Sequence, residues 1–177
     1  MRPFMVIPIL LLGACMASPA PPRQLPVTQG LTANLPAALL DAHNRERALA
    51  GVAPLAWDPA LAAAAAAYAR QLAAVGSLRH SPRQARPGQG ENLWMGTRGA
   101  FPVQAMAASW ASEKAYFRPG IFPAVSRSGN WADIGHYSQM IWPTTTHLGC
   151  AIAGSAHFDV LVCRYAPAGN IDGRRVP

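Results

Sequence analysis

Residues 148–165 read LGCAIAGSAHFDVLVCRY, in which two apolar runs flank the turn-forming segment 154–157. This pattern predicts a β-hairpin. If Cys150 and Cys163 face each other, the centre of the pairing falls between Ala156 and His157, inside the turn segment. Facing residues in antiparallel strands have Cα atoms about 4.5–5.5 Å apart, a separation that a disulfide can span. One register therefore accounts for both the hairpin and a Cys150–Cys163 disulfide.

Three amphipathic helices are predicted before this hairpin, over 34–51, 58–76 and 102–117. Each begins at an Asn, an Asp-Pro or a Pro, and the first two end at a glycine, as is typical of helix termini. Their apolar residues recur at helical spacing. These are Leu35, Leu39, Ala42 and Leu49; Leu61, Ala65, Tyr68, Leu72 and Val75; and Val103, Met106, Trp110 and Phe117.

Shorter signals complete the prediction. A strand is expected over 92–95, and a short helix over 135–142 is stopped by Pro143. The segments 77–91 and 118–134 read as loops, and long loops inside a compact domain are usually functional.

The N-terminus has the pattern of an export signal. Residues 1–14 join a positive start to an apolar run too short to span a bilayer, which needs about 20 apolar residues. Leu12-Gly13-Ala14-Cys15 resembles a bacterial lipoprotein processing box, which predicts lipidation of Cys15. The alternative is ordinary cleavage near Ala17 or Ala20. The proline-rich segment 15–34 is interpreted as a tether and 171–177 as a tail, leaving 35–170 as one domain.

The chain is basic, with 15 Lys and Arg, 8 Asp and Glu and a formal charge of +7. Arginines spread through an alanine-rich chain are typical of a GC-rich genome, and they also favour anionic partners. No basic stretch with interleaved aromatic residues is present, so nucleic acid is not an expected partner. Hydrophobic residues make up 51% of the chain, which indicates a globular protein, and we expect a monomer.

Four residues are candidates for chemistry. Glu113 follows Trp110 by three positions, which places a carboxylate on the apolar face of the third predicted helix. A buried carboxylate must be paired, protonated or bound, and a structural hydrogen bond in the core would also satisfy it. His80 and Glu91 bracket an Arg-, Pro- and Gly-rich loop, and His136 begins the short helix at 135–142.

A second group of residues is interpreted as structural. His43 and Arg47 are four positions apart on the first predicted helix, so they face the same way. With Asn44 they are expected to form an internal polar network rather than a catalytic one.

Four segments together resemble the CAP superfamily, also called SCP domains, which groups cysteine-rich secretory proteins, venom allergens (antigen 5) and plant pathogenesis-related proteins. Gly135–Trp142 (GHYSQMIW) resembles its first signature and Val160–Asn170 (VLVCRYAPAGN) its second. His43–Arg47 (HNRER) matches the His-Asn-x-x-Arg element, and Gly90–Leu93 (GENL) matches the Gly-Glu-Asn element. The resemblance covers about residues 35–170. It does not extend to the cysteine-rich tail of eukaryotic members, so the chain looks like a minimal exported bacterial form.

The resemblance implies an α+β fold, a three-layer α-β-α sandwich with a small antiparallel sheet. It also implies a cleft that contains two histidines and two glutamates, at positions matched by His80, Glu91, Glu113 and His136. In the family the histidines can hold a divalent metal with the glutamates nearby, and we expect zinc in this chain. Neutral imidazoles suit zinc, and a carboxylate can orient the ligands or a bound water.

Three functions remain open at this point. The first is a module that binds a lipid, a sterol-like molecule or an anionic envelope component. In this case the chain would be attached to the membrane of the cell envelope by its lipid anchor, or it would be secreted. Arg79, Arg83 and Arg86 could steer an anionic group, or form an ordinary solvated loop. The second is a metal-assisted hydrolase with Glu91 or Glu113 as the catalytic base. The third is a structural interaction domain.

Overall fold

A computed structural model describes residues 34–177, and the predictions for the signal peptide, Cys15 and nearly all of the tether lie outside these residues. Four α-helices and six strands follow one another within these described residues. The helices are α1 (Leu35–Leu49), α2 (Pro59–Val75), α3 (Val103–Ala111) and α4 (Gly135–Met140). The strands are β1 (Ala56–Trp57), β2 (Gly90–Thr97), β3 (Gly120–Ile121), β4 (His147–Gly154), β5 (Phe158–Ala166) and β6 (Arg175–Val176).

The main sheet has the strand order β1-β4-β5-β2 and lies between two helical layers. The alanine-rich helix α2 covers one face, where Ala65, Ala69 and Leu72 pack against Leu93 and Val160. Helices α1, α3 and α4 cover the other face with a larger core. The α+β class and the layered arrangement are therefore confirmed. The sheet is not wholly antiparallel, because β1 pairs with β4 in parallel.

The predicted hairpin register is confirmed. Cys150 faces Cys163 across β4 and β5, and the two residues form a disulfide with a Cα–Cα distance of 4.1 Å. One position before the disulfide, a Cβ atom on Gly149 would lie 2.3 Å from the backbone nitrogen of Ala62. A glycine at this position therefore allows the first turn of α2 to rest directly on β4.

The third helix is shorter than predicted. Helix α3 ends at Ala111 and a 3-10 turn, Ser112–Ala115, follows it. The hydroxyls of Ser109 and Ser112 donate to the carbonyls of Met106 and Ser109, and such bonds compete with the regular helical pattern. Glu113 consequently lies in the turn rather than on the helix.

Two other boundaries differ from prediction. Strand β2 begins at Gly90 rather than Asn92, so Glu91 lies in the sheet, where it faces Arg164 of β5. Residues 171–177 are not a free tail, because β6 pairs with β3 and Val176 is fully buried. The apolar stripes also end early, since Leu49 and Val75 are exposed. Within 34–177, no helix has the length and hydropathy needed to cross a bilayer.

Candidate functional site

A cleft of about 920 Å³ opens beside the N-terminus of α4. His80, Glu91 and His136 line it, and Glu113 reaches it through His136. The structure therefore brings the four predicted residues to one place, although they come from four separate segments of the chain. The remaining walls come from the 83–90, 122–139 and 168–172 segments.

His80 is held by Glu91. Its Nδ1 lies 2.8 Å from Glu91 Oε1, and the Glu91 side chain is completely buried, whereas that of His80 is about half exposed. Ser81 donates to the same carboxylate from its backbone nitrogen (3.0 Å) and from its hydroxyl (3.0 Å). The carboxylate thus fixes both the ring and the backbone of the loop that carries it.

Arg164 compensates the charge of Glu91. Its guanidinium lies 3.1 Å from Glu91 Oε2 and packs over the ring of Tyr68. Burial by itself would raise the pKa of Glu91. The hydrogen bond from His80, the positive charge of Arg164 and the two bonds from Ser81 outweigh it and hold that pKa below its ordinary value. Glu91 is therefore an ionised group that is fully occupied by its partners.

His136 is held by Glu113 in a parallel arrangement. Its Nδ1 lies 2.5 Å from Glu113 Oε1, while Glu113 Oε2 accepts the backbone N–H groups of His136 (2.9 Å) and Tyr137 (3.0 Å). Trp110 stacks on the His136 ring at 5.9 Å, and Asn92 donates to the His136 carbonyl. Glu113 thus caps the first turn of α4 and also orients the ring of His136.

The two histidine–carboxylate pairs leave Nε2 of each imidazole ring available. An ionised carboxylate only accepts hydrogen bonds, so a neutral imidazole facing it carries its hydrogen on Nδ1. Nε2 then keeps its lone pair, which is how a carboxylate prepares a histidine to bind a metal. Within the described part of the chain, no three His, Cys, Asp or Glu side chains form a group that could hold a metal ion. A cation here would therefore have at most two ligands from these residue types.

The three residues predicted to form one polar network instead connect separate segments. His43 Nδ1 donates to the Leu39 carbonyl (2.7 Å) and Nε2 accepts from the Tyr165 hydroxyl (2.8 Å). Burial lowers the pKa of His43 to about 4 despite the bond to Leu39, and the charge of Arg47 adds to this effect. The amide of Asn44 pairs with the backbone of Leu55.

Arg47 is fully buried and has no carboxylate partner among the described residues. Its guanidinium donates to four carbonyl oxygens, those of Ala53, Met140, Trp142 and Thr145. Burial lowers its pKa to about 10, against a smaller opposing effect of Tyr165. Arg47 therefore ties α1 to the segment that leaves α4.

Several site residues were not predicted from the sequence, and Arg164 is the most important of them. It is the one charged residue in the apolar run 160–165. A charge at that position in a buried strand needs a partner, so the sequence could have indicated that Arg164 pairs with a buried carboxylate. Ser81 and the stacking role of Trp110 had no comparable signal, because both depend on contacts between distant segments.

Comparison with known proteins identifies relatives of this chain. Residues 40–165 match the model of the cysteine-rich secretory protein family, CAP. Pathogenesis-related protein 1C of Nicotiana tabacum is 39% identical over 137 residues, which cover 76% of each chain. Secreted protein RBT4 of Candida albicans is 35% identical over 139 residues, which cover 76% of this chain and 35% of that protein.

Solved structures agree with the sequence match. The crystal structure of NaASP2 with Zn²⁺ superimposes with a TM-score of 0.69 at 25% identity, covering 84% of this chain and 87% of that one. BmVAL-1 shares the fold with a TM-score of 0.66 at 23% identity, covering 87% and 83%. The family model spans most of the folded region, and the chain belongs to the cysteine-rich secretory protein (CAP) family.

Proposed function

We propose that this protein is an exported binding module whose cleft holds a divalent cation, zinc, together with a ligand from the cell envelope. The observation that carries the proposal is the pairing of each cleft histidine, through Nδ1, with its own carboxylate. His80 and His136 would hold the ion through Nε2. The bound ion would act as a Lewis acid that attracts an anionic or carbonyl oxygen of the ligand.

The lining of the cleft supports an amphiphilic ligand. Arg83 and Arg86 line it with His80, while Phe122, Trp131 and Ile171 contribute apolar surface. Trp131 and Ile171 are each about half exposed. Binding sites typically combine such apolar walls with a few polar groups that set orientation. A lipid headgroup with an anionic oxygen fits this combination.

The hydrolase alternative is less well supported by the contacts. A general base must present a free lone pair to the proton that it removes. The oxygens of Glu91 accept from His80, Ser81 and Arg164, and those of Glu113 accept from α4. Both carboxylates are thus used to position histidines, which favours binding over hydrolysis.

Zinc binding provides the direct test. We expect chelator-stripped protein to bind zinc at neutral pH in isothermal titration and to gain thermal stability from it by mass action. Replacing His80 and His136 together with alanine should abolish both signals, because the two nitrogen ligands are lost. Binding should weaken in acid, because protons compete with the metal for the imidazole nitrogens.

His147 and His157 provide a matched control, because both are exposed and neither lines the cleft. Their double replacement with alanine should leave the zinc titration unchanged. An absence of zinc binding in the wild type, or equal binding by the wild type and both double variants, would contradict the metal site. Adding dispersed anionic and zwitterionic lipids to zinc-loaded protein then tests the ligand separately.

Export and lipid anchoring are proposed from the N-terminal sequence, and relatives such as Secreted protein RBT4 support export. We expect a fatty-acid probe supplied to cells to label the protein on Cys15. The substitution Cys15→Ser should abolish the label while the protein still leaves the cytoplasm. An unlabelled wild-type protein recovered free of membranes would contradict the lipid anchor. Secretion without an anchor would then be the remaining interpretation.

A further inference from the structure

Exposed apolar side chains recur in the segments around β3 and β6. Nine large hydrophobic residues are exposed within 34–177, and four of them belong to the region around β3 and β6: Tyr116, Ile121, Trp131 and Ile171. We call this the β3–β6 surface. Single exposed apolar residues need no explanation, but a group of them marks an interaction site.

Backbone contacts hold this surface together. Ile121 faces Arg175 across the β3–β6 pair, and the Phe122 N–H donates to the Arg174 carbonyl (2.9 Å). The Arg127 N–H donates to the Tyr116 carbonyl (2.7 Å). The Phe122 ring packs edge-on against Trp131 at 5.6 Å. The apolar residues therefore stand on one framework rather than on independent loops.

The same framework carries four exposed arginines: Arg118, Arg127, Arg174 and Arg175. None of the four forms an ion pair with a carboxylate of the described chain. Two acidic residues lie in the same region. Asp133 accepts from Ser128 and Asn130, and Asp172 is exposed. The surface therefore keeps a net positive charge.

We propose that the β3–β6 surface docks on a bilayer containing anionic phospholipids. Tyrosine and tryptophan favour the boundary between headgroups and hydrocarbon, and arginines are attracted to anionic lipid surfaces. The four arginines, which form no ion pair within the described chain, supply the charge complementarity that selects this partner. Trp131 and Ile171 also line the cleft, so docking would place the apolar side of its mouth against the membrane. This inference does not depend on a bound cation.

Vesicle binding tests the inference. The full chain carrying Cys15→Ser, which cannot be acylated, is sedimented with vesicles of phosphatidylcholine alone or of equal parts phosphatidylcholine and phosphatidylglycerol. We expect binding only to the anionic vesicles and weakening by salt. Arg118→Gln and Arg175→Gln should each lower the partition coefficient about five-fold, and Ile121→Ser should lower it further.

Arg70→Gln is the matched control, because Arg70 is exposed on α2, on the opposite side of the sheet. It should bind as the Cys15→Ser chain does. Equal losses in the control and in the surface variants would overturn the proposal, as would equal binding to both kinds of vesicle or no binding at all. Self-association that requires Ile121, without vesicle binding, would assign the surface to a second copy of the chain instead.

Discussion

Replacing Arg47 with methionine is expected to lower the free energy of unfolding by about 4 kcal/mol, although methionine fills much of the same volume. The reason is that four carbonyl oxygens receive hydrogen bonds from this one guanidinium. Each buried carbonyl left without a donor costs about 1–3 kcal/mol. Urea denaturation followed by circular dichroism measures the loss. Because Met140 is the last residue of α4 and Trp142 closely follows it, zinc affinity should fall as well.

Arg45 provides the comparison for Arg47. It lies two positions earlier on α1, its side chain is largely exposed, and its ion-pair partner is the equally exposed Asp41. Arg45→Met should therefore change the free energy of unfolding by less than about 1 kcal/mol. If both variants lost the same stability, the bonds from Arg47 to the four carbonyls would not be the cause.

The sequence predicted the hairpin well because two independent signals, the turn segment and the cysteine spacing, required one register. It predicted the start of β2 poorly for a physical reason. A charged residue such as Glu91 is not expected in a buried strand from the apolar pattern alone. Its strand position is stabilised by Arg164, which lies 73 positions later in the chain. Local patterns contain no information about such a cross-strand pair.

Other parts of the structure also depend on tertiary contacts. Strands β1, β3 and β6 have two residues each, which is too short for any periodicity to appear. The site was predicted as a set of four residues only through the family motifs. Their spacing alone carried little information, because the pairs His80–Glu91 and Glu113–His136 form between different segments of the fold.

Replacing Glu91 with glutamine should be the most damaging single change inside the cleft. Breaking a buried ion pair from one side costs about 3–5 kcal/mol, because Arg164 then keeps its charge without a counterion. The bonds from Ser81 would also weaken, which loosens the loop that carries His80. We therefore expect a large drop in the free energy of unfolding and about ten- to hundred-fold weaker zinc binding.

The pH dependence of the stability lost in Glu91→Gln has a defined sign. The pKa of Glu91 is held below its ordinary value of 4.5, so its ion pair stabilises the fold above that pH and stops doing so as the carboxylate is protonated. The stability difference between wild type and Glu91→Gln should therefore narrow below about pH 4.5. His43 destabilises both proteins equally as the pH falls from 6.5 to about 4.

Glu46 is a suitable control for Glu91. It forms an ion pair with Lys114 at 3.1 Å, in which the Lys114 side chain is half exposed and the Glu46 side chain is 13% exposed. Because water screens that pair, Glu46→Gln should cost less than about 1 kcal/mol and leave zinc titration unchanged. If Glu46→Gln and Glu91→Gln lowered the free energy of unfolding by similar amounts, the buried Glu91–Arg164 pair would not be the cause of the loss.

The register of β5 has a consequence for where this protein can mature correctly. Cys163, Arg164 and Tyr165 are consecutive, and they serve the disulfide, the counterion of Glu91 and the partner of His43. A slip of one residue would turn each of them to the opposite face of the sheet. The disulfide prevents that slip covalently, although neither cysteine lines the cleft. The oxidising power of the compartment in which the chain folds therefore affects the geometry of the cleft.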